Sequence, residues 1–512
     1  MKKFNIVLLS DSTSELFLQR TLGVHKIAAE LRSNGFDVQV VSHLHVFSIE
    51  EIERILAHLV NDKTLFVGFS TFFYRGVEDV TNLTENWEKG GVRYGPKELG
   101  SFLPHGLKYN KQIKDLIRSK NSNCKLVLGG PDANDSAYIK DYDYTVVGYA
   151  DLAVVNLARH LANGDKLLNA RRSIHHSIII DDFKAEGYDF ANTPMFYDHS
   201  DAIMPQEVLP IEIGRGCIFK CTFCSYPLNG KKKNDHVKLE AVLTQELLDN
   251  YQKFGVTRYL FIDDTFNDSI EKIQMVYNIS KILPFRLEYW AYIRLDLMAA
   301  HPETIDMLFE SGLRSCHFGI ETLHPTAGAL VRKGGDKKKL IETVQSIKKK
   351  YGNTVNLNGS FIFGLPQEPI DSMKSTVDLL VSGQFELDSW TIYPLAIQKD
   401  FAIFKSELDT EYAKFGYTLK EWNNELKLHN WESSITSFTE CSEMARDALL
   451  QSALTYPKKI NGLESFYITT LGFDLAYSLN KTIKDFDWHS VDLAKQKYRE
   501  IYKKEFYRII GM

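Results

Sequence analysis

The chain has 512 residues, a formal charge of −5 and 44% hydrophobic residues, which bounds it to about two to four domains with well-packed cores. A slightly acidic balance (sequence pI about 6.3) argues against a general nucleic-acid-binding role, and no apolar run reaches the roughly eighteen residues of a membrane span. The start, Lys2-Lys3 and then the short apolar run Ile6–Leu9, is too brief for a secretory leader, so a cytoplasmic location with reduced thiols is expected.

From Phe4 to about Ala162 strand and helix patterns alternate. Strands are predicted at Phe4–Leu9, Phe36–Val41, Leu65–Ser70, Lys125–Leu128 and Tyr144–Val147. Helices are predicted at Thr21–Asn34, ended by Gly35, at Ile49–Val60, opened by the capping box Ser48/Glu51, and at Lys111–Lys120. This alternation predicts a doubly wound parallel sheet over 1–162, whose ligand edge is the carboxyl ends of its strands. Those ends carry Ser10–Gly23, Ser70-Thr71, Gly129-Gly130-Pro131 and Gly148. A glycine-rich insertion, Tyr74–Leu107, follows the third strand and lies over that edge as a lid or a partial filling of the pocket. Residues 163–208 lose the alternation and read as a linker containing a short strand, Ser177–Ile180. The His175-His176 pair there has nothing nearby to complete a metal site.

Three of the six cysteines fall in Gly214–Cys224 with the spacing CxxxCxxC, while Cys124, Cys316 and Cys441 are scattered. Clustered thiols after a strand suit soft-metal ligation. A structural zinc site wants four ligands, and the nearest extra donor, His236, lies beyond the lysine-rich turn 231–233. Three thiolates suit a [4Fe–4S] cluster with one iron left open; zinc and disulfide pairing are the alternatives.

Downstream, βα units recur over 209–400. Strands at Arg258–Ile262, Leu287–Ile293, Ser315–Ile320, Val355–Phe363 and Ser389–Tyr393 join the one before Cys217 to make six units. Their carboxyl ends, where such barrels place reactive groups, carry the cysteines, Asp263-Asp264, Arg294, Glu321 and the Gly364–Glu368 loop. Each has a bland counterpart: a solvated turn for the aspartates, an ion pair of Arg294 with Asp296, a cap for Glu321. Cys316, inside a strand, reads as a core thiol. The lysine runs 231–233, 337–339 and 348–350 suit solvated faces better than nucleic-acid contact. The tail, 401–512, reads as helices at Glu440–Tyr456, Leu463–Leu479 and Val491–Ile510, placed to cap the barrel mouth.

CxxxCxxC with Phe223 before Cys224 resembles the signature of radical S-adenosylmethionine (SAM) enzymes. The resemblance implies that Cys217, Cys221 and Cys224 bind a [4Fe–4S] cluster whose open iron is chelated by SAM, and that SAM is cleaved to a 5′-deoxyadenosyl radical that abstracts hydrogen. Tyr259–Phe266 resembles the family's strand-two segment, which implies that Asp263 and Asp264 hold the SAM amino group. Trp290–Arg294 resembles the strand-three segment, with Arg294 suited to a carboxylate. Gly319-Ile320-Glu321 resembles the strand-four segment, with Glu321 toward ribose or amino group. Gly359–Gly364, including Phe361, resembles the strand-five segment, whose backbone reads the adenine edge. The N-terminal landmarks Leu22-Gly23, Ser70, Thr71, Gly129, Gly130 and Gly148 resemble the cobalamin-binding domain of one radical-SAM subgroup. Two departures stand out: no Asp-x-His-x-x-Gly segment offers cobalt a histidine, and Tyr149-Ala150-Asp151 replaces the usual Glu-Gly-Glu.

The resemblance thus implies an α/β chain with a Rossmann-like cobalamin-binding-type domain, a partial (βα)6 barrel and a helical extension. It implies the cofactors [4Fe–4S], SAM and cobalamin, and an external flavodoxin- or ferredoxin-like electron donor. Its reaction would be C-methylation of an unactivated carbon in a small molecule or peptide. Radical cyclisation, rearrangement or oxidation without methyl transfer is the alternative, and a non-catalytic iron–sulfur scaffold the reading from another class.

Overall fold

The computed structural model describes residues 5–11, 20–70, 110–130, 133, 139, 141–183, 187–399, 404–423, 428–456 and 458–512. Thr71 and the 74–107 insertion lie outside the described residues. The N-terminal strands are β1 (Ile6–Leu9), β2 (Val38–Val41), β3 (Phe66–Ser70), β4 (Lys125–Gly129) and β5 (Tyr144–Gly148). All residues of β1 and β2 are buried, as expected of strands covered by helices on both faces. The capping box at the helix Ile49–Leu59 forms as predicted: Glu51 N–H donates to Ser48 Oγ and Ser48 N–H to Glu51 Oε2. Two further strands, β6 (Ala170–Arg172) and β7 (Ile178–Asp182), complete a seven-stranded sheet of order β2-β1-β3-β4-β5-β7-β6. β7 runs parallel to β5 and β6 antiparallel to β7. The expected linker therefore begins as sheet, because the apolar run Ile178–Ile180 continues the core. The strand order reverses at β1, between β2 and β3, the switch point where such sheets bind ligands.

Two compact units emerge: Met1–Pro210 with Gln245–Val256 and His489–Met512, and Ile211–Thr244 with Thr257–Trp488. The expected boundary at 208 lies two residues from the one between Pro210 and Ile211, while 162 and 400 fall inside the units. In the first unit the last helix, Trp488–Ile510, packs on the segment after β2. Tyr502 Oη donates to the Ser42 carbonyl (3.1 Å), and the Phe506 ring packs tilted against Phe47 (5.4 Å). Beside it Arg20, fully buried, pairs with Glu207 and donates to the Asp201 carbonyl (2.8 Å). The carboxyl end of β2 is thus covered by the chain's own last helix.

The second unit is built on β8 (Leu209–Ile211), β9 (Arg258–Phe261), β10 (Glu288–Ile293), β11 (Leu313–Glu321), β12 (Asn356–Phe363) and β13 (Ser389–Pro394), paired in chain order. Neighbours from β9 to β13 run parallel, as a partial βα barrel requires. The tail departs from the helical expectation in two ways. β14 (Thr418–Asn423) and β15 (Leu428–Glu432) form an antiparallel hairpin, and the predicted helix Leu463–Leu479 is two, Gly462–Thr470 and Leu475–Leu479.

The tail also does not simply cap the mouth. Asn356 Nδ2 donates to the carbonyls of Ile460 (3.3 Å) and Leu479 (3.2 Å), and Gly462 N–H to Asn358 Oδ1 (3.3 Å). These residues sit at the amino ends of the strands, so 460–479 closes the barrel floor. Tyr417 and Trp431 instead serve the opposite end: Tyr417 Oη donates to the Gly364 carbonyl (2.7 Å) and Trp431 Nε1 to that of Leu395 (2.7 Å). No helix among the described residues is long and apolar enough to cross a membrane.

Candidate functional site

The cysteine loop leaves the carboxyl end of β8 through Gly216, whose φ of +71° disfavours any side chain, and where a Cβ would stand 2.5 Å from the Leu228 carbonyl oxygen. The returning strand of the loop pins its start and end: Cys217 N–H donates to Leu228 O (3.2 Å), Gly230 N–H to Cys217 O (2.7 Å), and Asn229 Nδ2 to Cys224 O (3.2 Å). Its middle is held by the segment after β11, through Thr222 N–H to Val331 O (3.2 Å) and Arg332 Nη1 to Lys220 O (3.2 Å).

Two of the thiols face residues just past strand ends. Cys217 Sγ lies 3.4 Å from Thr265 Oγ1, past β9, and Cys221 Sγ lies 3.6 Å from Arg294 Nη1, past β10, and 3.7 Å from the Arg332 carbonyl. All six cysteines are free thiols, which removes the disulfide alternative. Among the described residues no three His, Cys, Asp or Glu side chains gather closely enough for one metal ion. Three thiols on one loop, spread wider than a mononuclear site, fit a cluster in which each thiolate takes a different iron.

Arg294 is held twice over. Asp296 grips it through two contacts (2.6 and 3.0 Å), and its guanidinium lies 3.9 Å over the Phe219 ring. Burial acts to lower its pKa, and Asp296 more than reverses this. Glu321 ends β11 at φ +67° and pairs with Lys333 at 2.8 Å. Burial lowers the Lys333 ammonium, but Glu321 outweighs it and the pKa is raised; the same ammonium lies 5.9 Å from the Phe223 ring.

The two adjacent aspartates take opposite roles. Asp263 is buried and spent on the scaffold: it accepts Ile213 N–H (2.8 Å) and Lys272 Nζ (3.1 Å), and Lys272 also binds Asp268 (2.7 Å). The expectation that Asp263 holds a ligand cation is therefore corrected. Asp264, two residues on from Ile262 along the strand direction, faces the barrel lumen half-buried; burial, then Asp263 and Glu212, push its carboxyl up to about 6. Phe361 is likewise core, fully buried against Phe385. Its neighbours Ser360 and Ile362 are the half-buried residues on the other face of β12.

Alternation along the strands identifies lumen residues that motif reading passed over. Two and four residues below Arg294 stand Tyr292 and Trp290; four below Glu321 stands His317. Their rings meet: Tyr292 lies 5.2 Å and Trp290 6.2 Å from His317. Tyr292 is 40% exposed and Tyr393, on β13, 43%, so both rings reach solvent. Trp290 Nε1 is buried without a hydrogen-bond partner. Burial, and then Lys333, lower the His317 imidazole to about 4. Period-two counting back from the strand-end residues was the available signal.

In the first unit, Ser70 and Gly129 pair directly across β3 and β4, and Gly130 and Gly148 end the adjoining strands. Gly148 is required by packing: a Cβ there would stand 2.1 Å from the Asp182 carbonyl oxygen. Among the described residues a Cβ at Gly129 would meet only the Val146 carbonyl oxygen, at 3.8 Å.

Residues 211–380 match the Radical SAM superfamily. The chain is 24% identical over 320 residues to an uncharacterized methyltransferase of Pyrococcus horikoshii, covering 58% of this chain and 67% of that one. It is 23% identical over 188 residues to the bacteriochlorophyllide d C-12(1)-methyltransferase of Chlorobaculum tepidum, covering 36% of this chain and 40% of the relative. In fold it is similar to the radical SAM methyltransferase TsrM of Kitasatospora setae, determined with cobalamin and a [4Fe-4S] cluster bound (TM-score 0.63, 14% identity, 97% of this chain and 100% of that one). It is similar also to the cobalamin-dependent SAM radical enzyme OxsB (TM-score 0.60, 13% identity, 100% of this chain and 76% of that one). The chain carries a radical SAM domain and is an enzyme with the architecture of the cobalamin-dependent radical SAM enzymes.

Proposed function

We propose that this enzyme methylates a carbon of a small-molecule or peptide substrate in a cobalamin-dependent radical SAM reaction in the cytoplasm. The observation that carries the reading is the cysteine loop at the carboxyl end of the first barrel strand, in a chain that also holds a doubly wound sheet with glycines at its carboxyl edge. The methyltransferase names of its relatives support methyl transfer. A radical conversion without methyl transfer is the second reading, compatible with the likeness in fold to OxsB, a cobalamin-dependent SAM radical enzyme.

When bound at Cys217, Cys221 and Cys224, a [4Fe–4S] cluster supplies the electron that cleaves SAM. The chain's own residues prepare for a zwitterionic ligand beside it. Asp264 and Glu321 offer carboxylates to an ammonium or ribose, Arg294 offers Nη1 beside Cys221, and Phe219 and Phe223 wall the loop. Trp290, Tyr292 and His317 present neutral donors and apolar faces to the lumen, an environment that spares a reactive carbon centre from water. On the β3–β4–β5 edge, Ser70, Gly129 and Gly130 would hold cobalamin by close backbone approach.

The test is anaerobic reconstitution with iron and sulfide, then SAM and dithionite. Release of 5′-deoxyadenosine, retention of corrinoid after growth with cobalamin, and a one-methyl mass gain in a metabolite extract are expected. Nucleoside release without corrinoid or methyl gain selects the second reading. No release at all rejects both.

A further inference from the structure

Strand register sorts the side chains of the barrel lumen into tiers, and the middle tier holds polar groups that the chain does not satisfy. Trp290, Ser315 and Asn356 share one register row; Tyr292, His317, Asn358 and Ser389 share the next, and Gly319, Ser360 and Thr391 the row above. At the floor the polar groups are spent on the protein. Asn358 Nδ2 donates to Ser315 Oγ (3.1 Å), Ser389 Oγ to Asn358 Oδ1, and Asn356 Nδ2 to the Ile460 and Leu479 carbonyls. At the rim the charges are closed into pairs, Arg294 with Asp296 and Glu321 with Lys333. The second pair lies over Gly319, where a Cβ would stand 2.6 Å from Glu321 Oε1 and 2.7 Å from Lys333 Nζ.

Between floor and rim, five side chains on the adjacent strands β10, β11, β12 and β13 differ from both. Trp290, 2% exposed, has its Nε1 buried without a hydrogen-bond partner, and so has Thr391 its Oγ1. The side chains of Tyr292, His317 and Ser360, which reach solvent, also make no hydrogen bond among the described residues. Buried donors and acceptors in native proteins are paired, with protein, water or ligand, and five on one wall point to a shared ligand. Its chemistry follows from theirs. Burial and Lys333 keep the His317 imidazole neutral above about 4, so the whole tier is uncharged. An anion lowered here would be desolvated while Arg294 and Lys333 stay closed in their pairs, and an ammonium would meet no carboxylate at this level. An indole N–H donates only, so the ligand must bring an acceptor; hydroxyls also accept, so it can bring an N–H as well. The rings of Trp290 and Tyr292 meet that of His317 at 6.2 and 5.2 Å and present faces for a flat group.

We propose that Trp290, Tyr292, His317, Ser360 and Thr391 select a flat, uncharged ring amide as substrate, a lactam whose carbonyl accepts from Trp290 Nε1 and whose N–H donates to Ser360 Oγ. This deepens the function proposed above and rests on the reading that its radical chemistry takes place in this barrel. The lactam carbonyl is the end inserted deepest, toward the floor that residues 460–479 close. Charged parts of the same molecule stay outside the tier, at the rim or beyond it.

The experiment reads binding and not turnover, by equilibrium dialysis against reconstituted, SAM-loaded holoenzyme. Three probes are compared: carbostyril (a benzo-fused lactam), N-methylcarbostyril, which keeps the carbonyl and lacks the N–H, and quinaldate, which carries a carboxylate on the same pair of rings. Carbostyril should bind at one site per chain, and quinaldate at least about tenfold more weakly. Trp290→Phe keeps a ring and removes the N–H; it should weaken both lactams about three- to tenfold, the loss of one neutral hydrogen bond. Ser360→Ala, at a half-buried position, should weaken carbostyril by a similar factor and leave N-methylcarbostyril unchanged, which keeps the test intact should Trp290→Phe fold poorly. No carbostyril binding by the parent (the tier being filled by water alone), quinaldate binding as tightly as carbostyril, or unchanged affinities in Ser360→Ala overturns the proposal. Nucleoside release by the parent with dithionite is scored separately: its absence overturns the radical SAM reading and is distinguishable on that ground.

Discussion

Asp263→Asn and Asp264→Asn separate scaffold from site within one dipeptide. Asp263 is 1% exposed and accepts hydrogen bonds from Ile213 N–H at 2.8 Å, from Lys272 Nζ at 3.1 Å and from the Gly214 backbone. Lys272 is itself 2% exposed and keeps Asp268 and the Thr265 carbonyl (2.9 Å) when Asp263 loses its charge. Removing one charged hydrogen bond from such a network costs about 1.5–3 kcal/mol. Lys272→Met removes the only cation shared by Asp263 and Asp268 in this triad and leaves two buried carboxylates facing each other, a loss of about 3–5 kcal/mol. Asp264, half-buried, carries no ion-pair partner among the described residues, and Asp264→Asn should change stability by less than about 1 kcal/mol. Urea unfolding of the three variants under anaerobic conditions gives the stabilities, and equilibrium dialysis of radiolabelled SAM against reconstituted protein gives affinity. Asp264→Asn should weaken SAM at least about tenfold, the loss of one charged hydrogen bond. Asp263→Asn should leave SAM affinity of the folded fraction nearly unchanged. Parent-like stability with a tenfold loss of SAM in Asp263→Asn would refute the assignment.

Further outcomes follow from the same geometry. Because burial and its acidic neighbours raise Asp264 to about 6, its carboxylate forms only above that pH. SAM affinity should therefore fall as pH drops through about 6, and Asp264→Asn should flatten the step. His317 is lowered from 6.5 to about 4, so the unfolded chain protonates first; stability should decline as pH falls from about 6.5 to 4, less so in His317→Gln, as read by thermal unfolding. At Gly462 a Cβ would stand 1.7 Å from Ser315 Oγ and 3.0 Å from Asn358 Nδ2, so Gly462→Ala should cost about 1–3 kcal/mol by overpacking the barrel floor, seen as a lowered urea midpoint.

What was legible in the sequence was whatever local pattern alone decides. The capping box at Ser48, the unbroken apolar strands and the period of the βα units each follow from neighbours within a few residues, and all stand in the structure. What escaped depends on distant partners. Nothing near Asp263 announces Lys272 as its buried counter-ion, since nine positions and a turn of helix intervene. The last helix shows an apolar face, yet only the fold reveals that Tyr502 and Phe506 serve the segment after β2. Similarly, Asn356 and Asn358 read as strand residues, and their role as anchors for Ile460 and Gly462 lies about a hundred residues away. The lumen rings were legible in principle, since Trp290, Tyr292 and Arg294 share one face by alternation.

The ion pairs around the cysteine loop also fix which charges can answer a ligand. Asp263 with Lys272 and Arg294 with Asp296 are closed pairs, and opening either would expose a desolvated charge at a cost of several kcal/mol. These pairs leave over Nη1 of Arg294, one carboxylate oxygen of Glu321 and the carboxyl of Asp264, the groups proposed above to meet a zwitterionic ligand. Those three atoms come from the ends of β10, β11 and β9, consecutive neighbours in the sheet, and Arg294 Nη1 is already 3.6 Å from a cysteine sulfur. The closed pairs hold these strand ends at fixed separation, so the remaining charges meet the ligand without having to be ordered first. On that proposal Asp263 acts by position, as the buried neighbour that, after burial itself, raises the pKa of Asp264, and not by contact.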